Sequence, residues 1–219
     1  AWLLALVVTG VGALVLVYCA RYFSDSEPQL GRFAALLLAF AGTMYGLVTA
    51  DDIYIMFMFW EITSVLSYLL IGHYTGRKES RGAALQALLV TTFGGLAMLV
   101  SKSALLPFHF WLPAAMAAPT PVSAYLHAAA MVKAGIYLVA RFAPGFADTP
   151  GWVPVLVAFG VWTMLVGAWR SLRQYDLKLL LAYGTVSQLG FLTVVVGFGS
   201  RDAALAGAAL LLAHALFKA

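Results

Sequence analysis

Long apolar stretches, separated by short basic, acidic or proline-bearing segments, run through the whole chain. They are Trp2–Ala20, Phe33–Ala50, Ile53–Gly72, a longer run from Ala83 to about Leu106, Val122–Ala140, Val153–Trp169 and Lys178–Phe198. A further stretch begins near Ala203. A helix needs roughly 20 mostly apolar residues to cross the hydrocarbon core of a bilayer. A segment alone in lipid must satisfy its own backbone hydrogen bonds, so each stretch is predicted to be helical. The pattern predicts an all-α, polytopic membrane helix bundle of roughly seven to eight spans. Residues 1–219 read as one transmembrane unit of a longer subunit.

Composition supports the same class. Hydrophobic residues make up 63% of the chain, charged residues 10%, and the mean hydropathy is +0.93. Ordinary soluble domains carry about 25% charged residues. So few charges cannot coat a soluble globule. The net charge of +4 comes from short basic loops between apolar runs, which is the positive-inside pattern and not a nucleic-acid-binding surface. The one cysteine, Cys19, lies in an apolar run, so no disulfide framework forms within the chain.

The loops set an orientation. Arg77, Lys78 and Arg81 mark one cytoplasmic loop, Arg170, Arg173 and Lys178 a second, and Arg21 with Arg32 a third. Asp51 and Asp52, without a basic neighbour in sequence, suit the opposite side. Counting spans back from the Arg170–Lys178 loop puts the Ala114–Pro121 segment inside, where Arg81 also lies. The stretch between them must therefore cross twice or not at all. Residues 83–106 are too many for one straight span and too few for two. The count implies that about one span-equivalent is missing near Val100–Ser101.

Ionisable residues inside the spans carry the candidate chemistry. Glu61 is central in Ile53–Gly72, flanked by Phe59 and Trp60. A charge at that depth costs several kcal/mol, about 2.5 to 3.5 on insertion scales, and such residues are functional by default. A glutamate that locks helix packing through a salt bridge is the alternative. Lys102 sits in apolar sequence five residues before Pro107, which leaves the Ser103 carbonyl without its helical donor. Pro113, Pro119 and Pro121 extend the interruption, giving a proline-broken transmembrane helix of the kind that lines ion paths in transporters. A lysine snorkelling beside a helix-ending proline is the bland alternative.

Lys133 is too far from either end of Val122–Ala140 to snorkel easily. His127, six residues earlier, would lie on a different face of a regular helix. His214 and Lys218 are spaced i, i+4 and share a face. Lys178 opens its span, so it is either a buried relay or a juxtamembrane charge. Thr185, Ser187 and Gln188 place polar groups inside the last complete span, as helix glue or as holders of water. His109 lies close to Pro107, and His73 reads as a solvent-facing loop residue. No phosphate loop, dinucleotide fingerprint, CxxC pair or nucleophile elbow occurs, and the four histidines have no metal-ligand spacing. No cofactor is expected. The chemistry on offer is proton transfer among Glu, Lys and His.

Several segments are similar to signatures of the antiporter-like subunit family: Lys102–Pro113 (KSALLPFHFWLP), Ala118–His127 (APTPVSAYLH) and Met131–Arg141 (MVKAGIYLVAR). Phe59–Ser64 (FWEITS), Asp176–Gly190 (DLKLLLAYGTVSQLG) and His214–Lys218 (HALFK) match further motifs of that family in order. The family comprises the large subunits of Mrp-type cation/proton antiporters and the proton-pumping membrane subunits of respiratory complex I. Phe108–Trp111 and Met131–Gly135 look closer to the large, A-type subunit of the Mrp antiporters. The resemblance implies that Glu61 pairs with the broken-helix Lys102. It also implies that Lys133, His127, Lys178, His214 and Lys218 belong to a polar axis at the membrane midplane.

Two unit charges 4 Å apart interact by about 4 kcal/mol at an effective dielectric of 20, roughly a thousandfold change in a protonation equilibrium. Moving one charge of the Glu61–Lys102 pair would thus release a proton along the axis. The implied function is Na+/H+ or K+/H+ antiport by a transporter subunit rather than an enzyme. Its setting would be a hetero-oligomeric complex in the cell inner (plasma) membrane. The alternatives are a proton-pumping subunit of an NADH:quinone oxidoreductase and a non-transporting scaffold or degenerate fragment. The family has a full span and the start of the broken helix where Val100 here abuts Ser101, the locus that charge counting also marks.

Overall fold

The computed structural model describes residues 1–24, 29–74, 76–92 and 103–218. Among them are eight principal helices and no strand: α1 (Trp2–Tyr22), α2 (Leu30–Thr49), α3 (Ile53–Ile71), α4 (Lys78–Thr92), α5 (Thr120–Phe146), α6 (Trp152–Ser171), α7 (Leu177–Gly197) and α8 (Arg201–Lys218). Between α4 and α5, Phe108–Phe110, Trp111–Ala114 and Ala115–Ala117 form a run of short turns. The prolines explain the run, since Pro107, Pro113 and Pro119 each delete a backbone donor.

Helices α1, α2, α3, α5, α6 and α7 are long and apolar enough to cross a membrane. Their bounds differ from the hydropathy reading by few residues, except that α5 runs on through Arg141 to Phe146. Helix starts are capped where the sequence supplies an acceptor. Asp52 takes the amides of Tyr54 (2.8 Å) and Ile55 (3.1 Å), and Asp176 takes that of Leu179 (3.0 Å).

Helix α5 is the centre of the bundle. In its most apolar window 81% of residues are buried, against 22% for α6. It packs on α1 and α2 on one side and on α7 and α8 on the other, while α3 packs on α2 and α4. The outward faces carry Leu6, Leu14, Val17, Phe57, Trp162, Leu165 and Trp169, all exposed. In a membrane those faces meet acyl chains, so their exposure costs nothing there.

Side-chain ties order the helices across the bilayer. Tyr22, at the end of α1, lies 3.4 Å from the Thr120 hydroxyl, and Lys178 donates to the Ala118 carbonyl at 3.3 Å. The start of α5 therefore lies at the basic edge. At the other end Arg141 reaches the α2–α3 loop, donating to the Ala50 carbonyl and, at 3.0 Å, to the Asp51 carbonyl. Asp51 thus has a basic neighbour in space, with Arg141 Nη2 3.8 Å from its carboxylate, although none is near in sequence. Both ends of the stretch from Arg81 to Pro119 lie at the basic edge, since Ser80 donates to the Ile71 carbonyl (2.8 Å), His73 packs on Phe23 (6.1 Å) and Lys178 reaches Ala118. In between, the Leu106 amide donates to Thr163 Oγ1 (3.0 Å), near the middle of α6, so the turns climb to mid-depth.

Candidate functional site

Residues 123–130 of α5 form a π-helical stretch, with the Met131 amide on the Leu126 carbonyl. Pairing i to i+5 widens the turn, and such stretches are frequent at functional sites. His127 lies inside it and Lys133 just beyond it. The 100° per residue of a regular helix therefore does not describe the angle between them. Nothing in the residues 123–130 marks this widening.

Lys133 is completely buried (0% exposed), and so is His214 (0%). Both Lys133 and Lys218 lie within electrostatic reach of the His214 ring, whose edge also packs on Phe217 (5.3 Å). His127 is 3% exposed and tilts against Trp111 at 5.8 Å. Neither imidazole has a hydrogen bond from either ring nitrogen among the described residues. Two such rings in an apolar bundle cost free energy unless their polarity is used.

A cavity of about 200 Å³ explains His127. Thr120, Ser123, His127, Lys178, Thr185 and Lys218 line it, on α5, α7 and α8. It has room for several waters at about 30 Å³ each. Lys218 enters from α8 and donates to the Leu181 carbonyl at 2.8 Å. Gly184 leaves space for it: a Cβ there would lie 3.3 Å from Nζ. Lys178 is thus a cavity residue as well as a juxtamembrane one. Thr185 bonds back to Leu181 (2.9 Å), and Ser187 bridges α7 to the Met164 carbonyl of α6 (2.9 Å).

Five of the seven sequence-predicted residues therefore gather among α5, α7 and α8: His127, Lys133, Lys178, His214 and Lys218. Glu61 is half-buried on α3, where the buried hydroxyls of Thr63 and Ser64 donate to the Trp60 carbonyl. Lys102 lies outside the described residues. Its neighbour Ser103 packs so tightly on α5 that a Cβ at Gly135 would stand 2.9 Å from the Ser103 amide nitrogen. His109 is buried with Nε2 3.3 Å from Arg170 Nη1. His73 is half-buried against the Phe33 ring (5.0 Å), not solvent-facing.

Known proteins share this fold. The family described as NADH:quinone oxidoreductase/Mrp antiporter, transmembrane, matches residues 50–102 and 96–219. A probable K(+)/H(+) antiporter protein of Rhizobium meliloti, of the A/B subunit type, is 42% identical over 261 residues, covering 100% of this chain and 26% of that protein. The A-type subunit of the Na(+)/H(+) antiporter of Alkalihalophilus pseudofirmus is 42% identical over 240 residues, covering 90% of this chain and 30% of that protein. A chain in the solved Mrp complex from Dietzia sp. superposes with a TM-score of 0.93 at 38% identity, over 99% of this chain and 28% of that one. A chain of an archaeal membrane-bound sulfane sulfur reductase shares the fold, with a TM-score of 0.86 at 23% identity over 99% of this chain and 54% of its own length. The chain thus spans between a quarter and a third of the length of the curated relatives named here. It is a multi-pass membrane protein, and it belongs to the NADH:quinone oxidoreductase/Mrp antiporter transmembrane family.

Proposed function

We propose that this chain is the proton-handling part of a subunit that exchanges a monovalent cation for protons within a multi-subunit membrane complex. The observation that carries the reading is the convergence of His127, Lys178 and Lys218 on one cavity, with fully buried Lys133 and His214 close by. A group of lysines and histidines gathered in one place is a poor structural staple, because each added positive charge repels the next. The same group is a good proton carrier, because it is stable only when partly protonated. Glu61 and Lys102 form the charge pair that loads it.

Antiport is favoured over redox-driven pumping because the relatives at 42% identity bear antiporter names, one for sodium and one for potassium. The test uses the complete parent complex in a strain lacking its own antiporters. Respiration acidifies the interior of inverted vesicles, a pH-sensitive dye reports it, and sodium or potassium is added. Recovery of the dye signal with at least one cation is expected. No recovery with either, from an assembled complex, overturns the proposal.

The junction at Val100–Ser101 reads, on the same proposal, as a site where a segment present in relatives is missing. The alignment to the Rhizobium protein runs over 261 residues although the chain has 219. The family match also comes in two pieces that meet at residues 96–102. A gene read across this junction that adds no codons would remove that part of the proposal.

A further inference from the structure

Tyr125 lies in the π-helical stretch of α5, two residues before His127. Its side chain is 0% exposed, although it ends in a hydroxyl. A buried tyrosine hydroxyl needs a partner. This one crosses to α1 and donates to the Val8 carbonyl at 2.9 Å. A carbonyl oxygen has two lone pairs, so Val8 accepts this bond in addition to its helical one.

Gly12 makes the crossing possible. It lies about one turn along α1 from Val8, and a Cβ there would stand 2.9 Å from the Tyr125 hydroxyl oxygen and 3.1 Å from its Cζ. The Tyr125 ring also meets Phe40 of α2 edge-on, with centroids 5.8 Å apart. Helices α1 and α2 thus hold this side chain by its hydroxyl, by a notch and by its ring.

His127 faces the other way. Two residues of a regular helix are 200° apart, and the wider turn of a π-helix brings that angle nearer to half a turn. With Tyr125 fixed on α1 and α2, His127 is directed to the cavity that it shares with Lys178, Thr185 and Lys218. The imidazole makes no hydrogen bond of its own among the described residues. Its direction is therefore set by the backbone that carries it. The i to i+5 pairing of that backbone departs from the regular helix that follows it, so an anchor outside α5 is needed to fix its rotation.

We propose that Tyr125 is a positioning residue: latched to the Val8 carbonyl through the Gly12 notch, it sets the rotation of the π-helical stretch and so aims His127 into the cavity. Helix α1 lines no part of that cavity, and it acts on the site through this latch. The consequence for exchange rests on the reading of His127 as a proton-carrying group.

The test uses the full-length subunit in its assembled complex, in vesicles. One arm reads geometry without exchange. His127→Cys and Ala182→Cys, both at the cavity, are combined in a subunit freed of its other cysteines and treated with a short, membrane-permeant bifunctional thiol reagent. Cross-linking is expected with Tyr125 present, and to slow several-fold with Tyr125→Phe, which keeps the ring and loses the latch. Where Tyr125→Phe does not assemble, Gly12→Ala is expected to do the same by displacing the hydroxyl. A merely structural tyrosine would change the yield of assembled complex and not the cross-linking rate per complex. An unchanged rate, or no cross-linking with Tyr125 present, overturns the proposal. The second arm reads exchange per assembled complex in the Tyr125→Phe subunit with its native His127, and a several-fold fall is expected. Slowed cross-linking with normal exchange would count against His127 as a proton carrier, and so against the proposed function, and leave the latch standing.

Discussion

Lys133→Met in the full-length subunit is expected to lower cation/proton exchange roughly a hundredfold or more, while the complex still assembles. The side chain is 0% exposed on the central helix and within electrostatic reach of His214. Methionine keeps the length and removes the charge. Replacing a buried charge by an apolar group of similar volume is often neutral or stabilising, so a merely structural lysine would predict normal exchange from a complex at least as stable. Loss of exchange with intact assembly separates the two roles. Subunit co-purification monitors assembly, and cation-triggered dye recovery monitors exchange.

Gly190→Val is expected to prevent assembly altogether. Helices α6 and α7 make the most extensive helix–helix contact in the bundle, and they do so through small residues. A Cβ at Gly190 would stand 2.5 Å from the Gly160 carbonyl oxygen and 2.6 Å from the Met164 amide nitrogen. Those atoms are backbone and cannot swing aside. A Cβ at Gly167 would meet the Ser187 amide nitrogen at 2.7 Å. Close backbone approach is how helices gain packing in lipid, where no hydrophobic force draws them together. Overpacking costs about 1–3 kcal/mol when side chains can relax, and more where backbone must separate. Loss of co-purifying subunits after detergent extraction checks this, and wild-type assembly would contradict it.

The spans are legible in the sequence because lipid imposes a simple rule: about 20 apolar residues with every backbone bond made internally. Hydropathy places helix α7 at Lys178–Phe198, and it runs Leu177–Gly197. For helix α5 hydropathy stops too early, because Arg141 ends the apolar run. That guanidinium is satisfied by loop carbonyls of the α2–α3 connection, so the helix continues past it. Titratable residues in apolar runs are equally legible, since their cost marks them, and five of them cluster in space. Their geometry is not. The π-helical turn at Ser123–Ala130 shifts a hydrogen-bond register without a sequence signature, and it changes the angle that a regular helix would set between His127 and Lys133. The cavity at His127 is lined from several helices, so no local pattern announces it. Tyr137 and Arg141 read in sequence as part of a motif, and only the fold shows them donating to the Val48, Ala50 and Asp51 carbonyls.

On the proposed function, exchange depends on Glu61 and Lys102 to load the buried lysine and histidine axis. Cation-triggered dye recovery in inverted vesicles tests it most directly, comparing the wild-type complex with Glu61→Ala and Lys102→Ala after verified assembly. Recovery is expected in the wild type and none in either variant. Near-normal recovery in an assembled Glu61→Ala complex would contradict it.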